Sequence, residues 1–138
     1  MKAISLWQPW ASAMAFGWKK IETRTWSTSY RGPLLIHAAK RITRWPSIDV
    51  QALFDGIASQ PSDLPRGEIL CQVSLVDCKR IYQHNRPYGR ERVLGDYTPG
   101  RYMWITQDTT VFIEPIPYRG RQRIFEVEPP RQGSLWGA

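Results

Sequence analysis

Hydrophobic and polar positions change period several times along this chain. KAISLW (Lys2–Trp7) is a short apolar run of strand length. QPWASAMAFG follows, with Pro9 suited to a first helical turn, alanines at positions 11, 13 and 15, and Gly17 as a stop. Trp10, Ala13, Met14 and Gly17 fall on one helical stripe. In GWKKIETRTW the period becomes two: Lys20, Glu22 and Arg24 point one way, Ile21, Thr23 and Thr25 the other. PLLIHAA reads as a strand buried on both faces, because its apolar run is continuous. TRWPSIDVQALFDGIAS predicts a second helix, with Pro46 near its start and Ile48, Leu53, Phe54 and Ile57 as its apolar side.

The second half is richer in strands. EILCQVSLVDCKRIY alternates over a long stretch and reads as the central strand of a curved sheet. QHNRPYGRERVLGDYTPGR is a polar connection long enough to be a functional loop. YMWIT, TVFIEPIPY and RIFEVE predict three more strands, with Pro115 and Pro117 confining the end of the second to an edge or bulge. The tail PPRQGSLWGA reads as poorly ordered unless Leu135 and Trp136 dock. The pattern predicts one domain over residues 1–130 and a flexible tail over 131–138. The class is α+β: a curved β-barrel of about six strands with two or more flanking helices.

Charge adds a function class. The net charge is +7 and the sequence pI is about 9.8, which favours phosphate-bearing partners: RNA, single-stranded nucleic acid or a nucleotide-like ligand. Seven tryptophans are many for 138 residues. Some fill the core, and others are free to stack on flat ligands. Cys71 and Cys78 lie an odd number of residues apart on one strand, facing opposite sides and roughly 23 Å from each other. They read as reduced thiols of a cytoplasmic protein. No run reaches the length of a membrane span, and the start of the chain lacks a secretory pattern. His37, His84 and the cysteines have no metal-ligand spacing, and no cofactor fingerprint occurs.

GWKKIETRTW is the prime candidate site. Lys19 and Arg24 suit a phosphate or a polarised carbonyl, and Glu22 suits an amine on a base edge. Trp7, Trp10 or Trp26 would stack on a base. The bland alternative is a solvated ion pair across a strand face, contributing about 0–1 kcal/mol. From Lys19 to Arg44 there are seven basic residues against one acid, Glu22. Arg31, Lys40, Arg41 and Arg44 therefore extend a candidate phosphate track. Arg86, Arg90 and Arg92 accompany Tyr88 in the long connection. Arg119, Arg121 and Arg123 are spaced to share one strand face, as a basic edge or as further track. His37, inside an apolar run, reads as a satisfied core or barrel-rim histidine.

Four segments, SLWQPWASAMAFGWKKIETRTW, YRGPLLIHAAK, GEILCQVSLVDC and PYRGRQRIFEV, resemble the ASCH family, a branch of the PUA-like superfamily. The likeness runs from about Ile4 to Val127. Its most specific parts are Gln8-Pro9-Trp10 and the spacing Gly17-x-Lys19-x-x-Glu22-x-Arg24, supported by Arg31-Gly32 and Gly120. The resemblance implies a PUA-like barrel with helices at its side. It implies a ligand cleft beside the barrel, served by Trp7, Gln8, Pro9, Trp10, Lys19, Glu22, Arg24, Trp26, Arg31 and Ser74. It also implies a role in RNA metabolism, translation control or coactivation. Catalytic relatives, amidohydrolases of N4-acylated cytidine, supply an alternative, as does ribonuclease activity. Their lysine maps onto Lys19. Their threonine position holds Glu22, so the hydroxyl is missing and Glu22 would have to serve as general base for water. Glu91 is the candidate for their distant carboxylate.

Overall fold

The structure is a computed structural model that describes residues 1–128. In chain order it contains β1 (Lys2–Leu6), α1 (Trp10–Ala15), β2 (Ile21–Arg24), β3 (Gly32–Ala38), α2 (Ile48–Leu53), β4 (Glu68–Arg80), α3 (Gly89–Val93), β5 (Tyr102–Pro117) and β6 (Ile124–Glu126). A single 3-10 turn, Pro61–Asp63, precedes β4. The tail, including Leu135 and Trp136, lies outside the described residues.

The six strands form one sheet in the order β2-β5-β4-β3-β1-β6. β1 and β3 pair in parallel, and every other pair is antiparallel. Register shifts in the β3–β4 and β4–β5 ladders mark where the long strands bend. The sheet curls into a half-barrel with α1 against its inner face, the PUA-like architecture.

Alternation in β1 and β3 explains the curl's two cores. Ile4, Leu6, Leu34 and Ile36 join Met14 of α1 and Trp104 on one side. Ala3 and Leu35 join Ile69, Phe125 and Val127 on the other. A strand covered on both faces needs apolar residues at every position, which is why LLI is unbroken. Pro9 caps α1 and Gly17, at φ +78, ends it. That left-handed geometry suits glycine.

Three expectations are corrected. α2 buries Val50, and Phe54 is buried just past its end, whereas Ile48 and Ile57 are exposed. The helix has only six residues, so Ile57 lies beyond its period, and Ser47 caps it by accepting from the Val50 N–H. YMWIT and TVFIEPIPY are one continuous strand, β5, because β4 pairs with it from Tyr102 to Pro117. Its surplus residues between Val111 and Ile116 are accommodated at a register shift. β2 pairs only with Tyr102–Ile105, so both prolines fall on the half of β5 that β2 does not cover. Finally, the Arg119–Arg123 segment is not a strand but the connection between β5 and β6.

Candidate functional site

β2 carries a charged row that turns inward. The Lys19 side chain is only 1% exposed. Its Nζ donates to the carbonyls of Ile21 and Leu94, both at 2.6 Å, and lies 5.4 Å from the Trp10 ring centre. Glu22 Oε1 is 3.4 Å away and completes its surroundings. Burial pushes the Lys19 amine below its usual range, with Glu22 and Glu91 opposing that shift. Glu22 Oε2 pairs at 3.0 Å with Arg24 Nε, and Arg24 Nη2 donates to the Ser5 carbonyl at 2.8 Å. The row Lys19–Glu22–Arg24 thus runs from the interior toward β1.

The long arginine-bearing connection closes the inner end. Glu91 on α3 accepts from the backbone N–H groups of Lys20 (2.8 Å) and Ile21 (3.3 Å). Leu94 is fully buried and supplies the carbonyl over Lys19. The connection read as a loop therefore carries a short helix, Gly89–Val93, and packs as a plug against the start of β2.

Arg24 also lines a cleft of about 1290 Å³ at the other end of the row. Ser5 and Trp7 from the β1 end, Trp26 after β2, His37 and Lys40 around the β3 end, Arg66–Glu68 before and at β4, and Pro117–Arg123 after β5 form its walls. Its cations are Arg24, Lys40, Arg66, Arg119, Arg121 and Arg123, against one carboxylate, Glu68. Trp26 is held edge-to-face by Trp104 at 4.7 Å and carries the Arg123 guanidinium 4.1 Å over its ring. Trp7 is half exposed and carries Arg41 at 4.4 Å.

At the cleft base, His37 Nε2 lies 2.7 Å from the Tyr118 carbonyl and Nδ1 lies 2.7 Å from Ser5 Oγ. A carbonyl only accepts, so Nε2 bears the proton and Nδ1 accepts from the hydroxyl. Burial pushes the imidazole pKa down, with the Tyr118 carbonyl opposing. Gly120 lies directly over this pair: a Cβ there would stand 2.6 Å from His37 Cε1 and 2.7 Å from Ser5 Oγ.

The predicted site residues fall into three groups. Trp7, Arg24, Trp26, Lys40, Arg119 and Arg121 line the cleft. Trp7 also borders a smaller hollow of about 440 Å³, together with Gln8, Pro9, Trp10, Arg41 and Arg44. Lys19, Glu22, Arg31, Ser74, Arg90 and Arg92 line neither. Gln8 is buried and ties α1 together, donating to Ser12 Oγ and the Pro65 carbonyl and accepting from the Ser12 N–H. Arg31 bonds the Thr28 and Tyr30 carbonyls, Ser74 sits in the β4 ladder opposite Pro33 and Gln107, and Arg90 lies 5.7 Å over Trp18. Sequence reasoning did not assign Ser5, Arg66 or Glu68 to the site. Only the β1–β3 register, Ser5 opposite His37, signals the first of these. Both cysteines are free, and burial pushes the Cys71 thiol up to about 12. Among the described residues no group of three His, Cys, Asp or Glu is placed to hold a metal, and no helix is long and apolar enough to cross a membrane.

The chain is 27% identical over 130 residues to Activating signal cointegrator 1 of Mus musculus and to that of Homo sapiens. The match takes in 91% of this chain and 22% of each relative, so the chain spans about a fifth of their length. Its fold is similar to the crystal structure of ASCH from Zymomonas mobilis, with a TM-score of 0.60, 17% identity and coverage of 92% of this chain and 87% of that one. The ASCH domain family model matches residues 4–127, nearly the whole described fold, and the chain belongs to that family.

Proposed function

We propose that the cleft binds single-stranded RNA or another nucleobase-bearing ligand, in a cytoplasmic role in RNA metabolism or translation. The observation that carries this reading is six cations and one carboxylate around a 1290 Å³ cleft with Trp7 and Trp26 in its wall. Cations neutralise backbone phosphates, and indole faces accept bases of any sequence. The RNA links implied by the family resemblance agree with it. The free thiols fit a reducing compartment.

Arg24 is the residue of the charged row that reaches this ligand, and Glu22 orients it. Lys19 braces Glu22 from behind. The hydrolytic alternative, with Lys19 and Glu22 as catalytic groups, needs substrate at an amine that is 1% exposed and already bonded to two carbonyls. Binding is therefore the reading we carry.

The test is fluorescence anisotropy with a labelled single-stranded RNA ten nucleotides long. Trp26→Ala is expected to weaken binding about tenfold, the worth of one stacked base. Equal affinity of variant and wild type, with both folded by circular dichroism, refutes the cleft as the binding site.

A further inference from the structure

Trp7 separates two cavities. One is the basic cleft, and the other is the 440 Å³ hollow bordered by Trp10, Arg41, Thr43 and Arg44. We propose that the hollow is a second nucleotide subsite. The ligand is then a single-stranded oligonucleotide of two or more nucleotides that crosses Trp7, not a free nucleoside. This inference rests on the nucleic-acid reading of the cleft.

Several observations meet at this point. The hollow's volume lies within the roughly 300–1,000 Å³ typical of small-ligand sites. Its charged lining is wholly cationic, Arg41 and Arg44, so it attracts the same chemistry as the cleft. It offers two indoles, Trp7 and Trp10, where one base needs a single flat partner. Consecutive residues serve opposite sides: Lys40 lines the cleft and Arg41 the hollow. A phosphodiester passing this step would meet a cation on each side of Trp7.

The partition is also held in place. Thr43 Oγ1 donates to the Gln8 carbonyl at 2.6 Å, and Gln8 is itself fixed by Ser12 and Pro65. The Ala39 N–H donates to the Leu6 carbonyl at 2.9 Å. The 39–43 segment is thereby anchored beside Trp7 at both ends. The Arg41 guanidinium carbon stands 4.4 Å from the centre of the Trp7 ring, so a cation is held over the indole that borders both cavities.

The experiment is a length series of 5′-phosphorylated oligouridylates, from one to six nucleotides, titrated against the whole chain. Wild type is expected to gain at least tenfold in affinity between the mononucleotide and the short oligomers. In Arg41→Ala/Arg44→Ala the short oligomers should bind no more tightly than that variant's own mononucleotide, and a double variant that keeps the tenfold gain overturns the subsite. Arg41→Lys keeps the charge but not the flat group, and it should lose part of the gain. A full gain in Arg41→Lys, lost only in the alanine variant, assigns the effect to charge alone and overturns the subsite. Equal affinity of wild type for all lengths overturns it too, leaving the cleft reading intact. Failure of wild type to bind any length overturns the cleft reading itself, and the subsite with it.

Discussion

Lys19 Nζ and Glu22 Oε1 lie 3.4 Å apart in the interior, and the Leu94 carbonyl, 75 residues along the chain from Lys19, accepts a bond from the same amine. The pair joins β2 to the plug that carries α3. A buried ion pair is weak evidence for stability by itself, but removing one partner strands the other.

Lys19→Met should therefore destabilise the fold by about 3 kcal/mol, since two carbonyls lose their donor and Glu22 keeps only Arg24. Urea denaturation followed by tryptophan fluorescence measures this. Hydrogen exchange should rise first in residues 89–97, the plug that the amine holds. A variant as stable as wild type would show that the pair is dispensable.

His37 makes stability depend on pH in a defined direction. Its pKa is lowered from 6.5, chiefly by burial. Below 6.5 the unfolded chain takes up a proton that the folded imidazole resists, so the unfolded state binds more protons there. Stability then falls as pH drops from about 6.5 toward the folded pKa, and His37 contributes no slope above that window. Thermal melts from pH 8 to pH 5 should show the fall. His37→Gln should be less stable at pH 8 but flatter below 6.5. An unchanged slope in the variant would place the effect elsewhere.

Gly120→Ala probes the cleft wall by contact alone. Its Cβ would stand within 2.9 Å of three atoms of Ser5 and His37, and the imidazole is held at both nitrogens. The wall has to move, at a cost of about 1–3 kcal/mol. Chemical denaturation and RNA binding should both weaken. Wild-type values in both would mean that the 118–123 connection yields freely.

Arg119→Ala/Arg121→Ala tests the track character of the same connection. Each phosphate contact on a single strand contributes roughly 0.7 to the slope of log K against log salt. The double variant should reduce that slope by about 1.4. Reduced affinity with an unchanged slope would show that these arginines do not meet phosphates.

Much of the fold was legible because it follows local period. The alternation in Ile21–Arg24, the unbroken LLI of β3 and the Pro9 and Gly17 punctuation all match the structure. β5 was misread as two strands because Gln107, Asp108 and Thr110 are exposed polar residues that interrupt the apolar pattern. Pairing with β4 carries the strand through them, and that is a tertiary effect. The placement of Lys19 was the least legible feature of the candidate site. A lysine entering a strand reads as solvated, and what buries it comes from a distant segment. The basic wall was partly visible in the Arg119–Arg123 spacing. Arg66 and Lys40 join it only because the Gly67 N–H bonds the Ala38 carbonyl and brings the two segments together.

The Lys19–Glu22–Arg24 row has one more effect on the cleft. Arg24 is fastened at both ends, to Glu22 and to the Ser5 carbonyl. Its positive charge is largely answered from behind, so it adds little to the long-range field. What it keeps is direction. In the proposed binding, Arg119, Arg121 and Arg123, all exposed, would set how strongly an anion is drawn in from a distance, while Arg24 would set the angle at which it comes to rest. Attraction and alignment are thus assigned to different arginines, and a change in one can leave the other untouched.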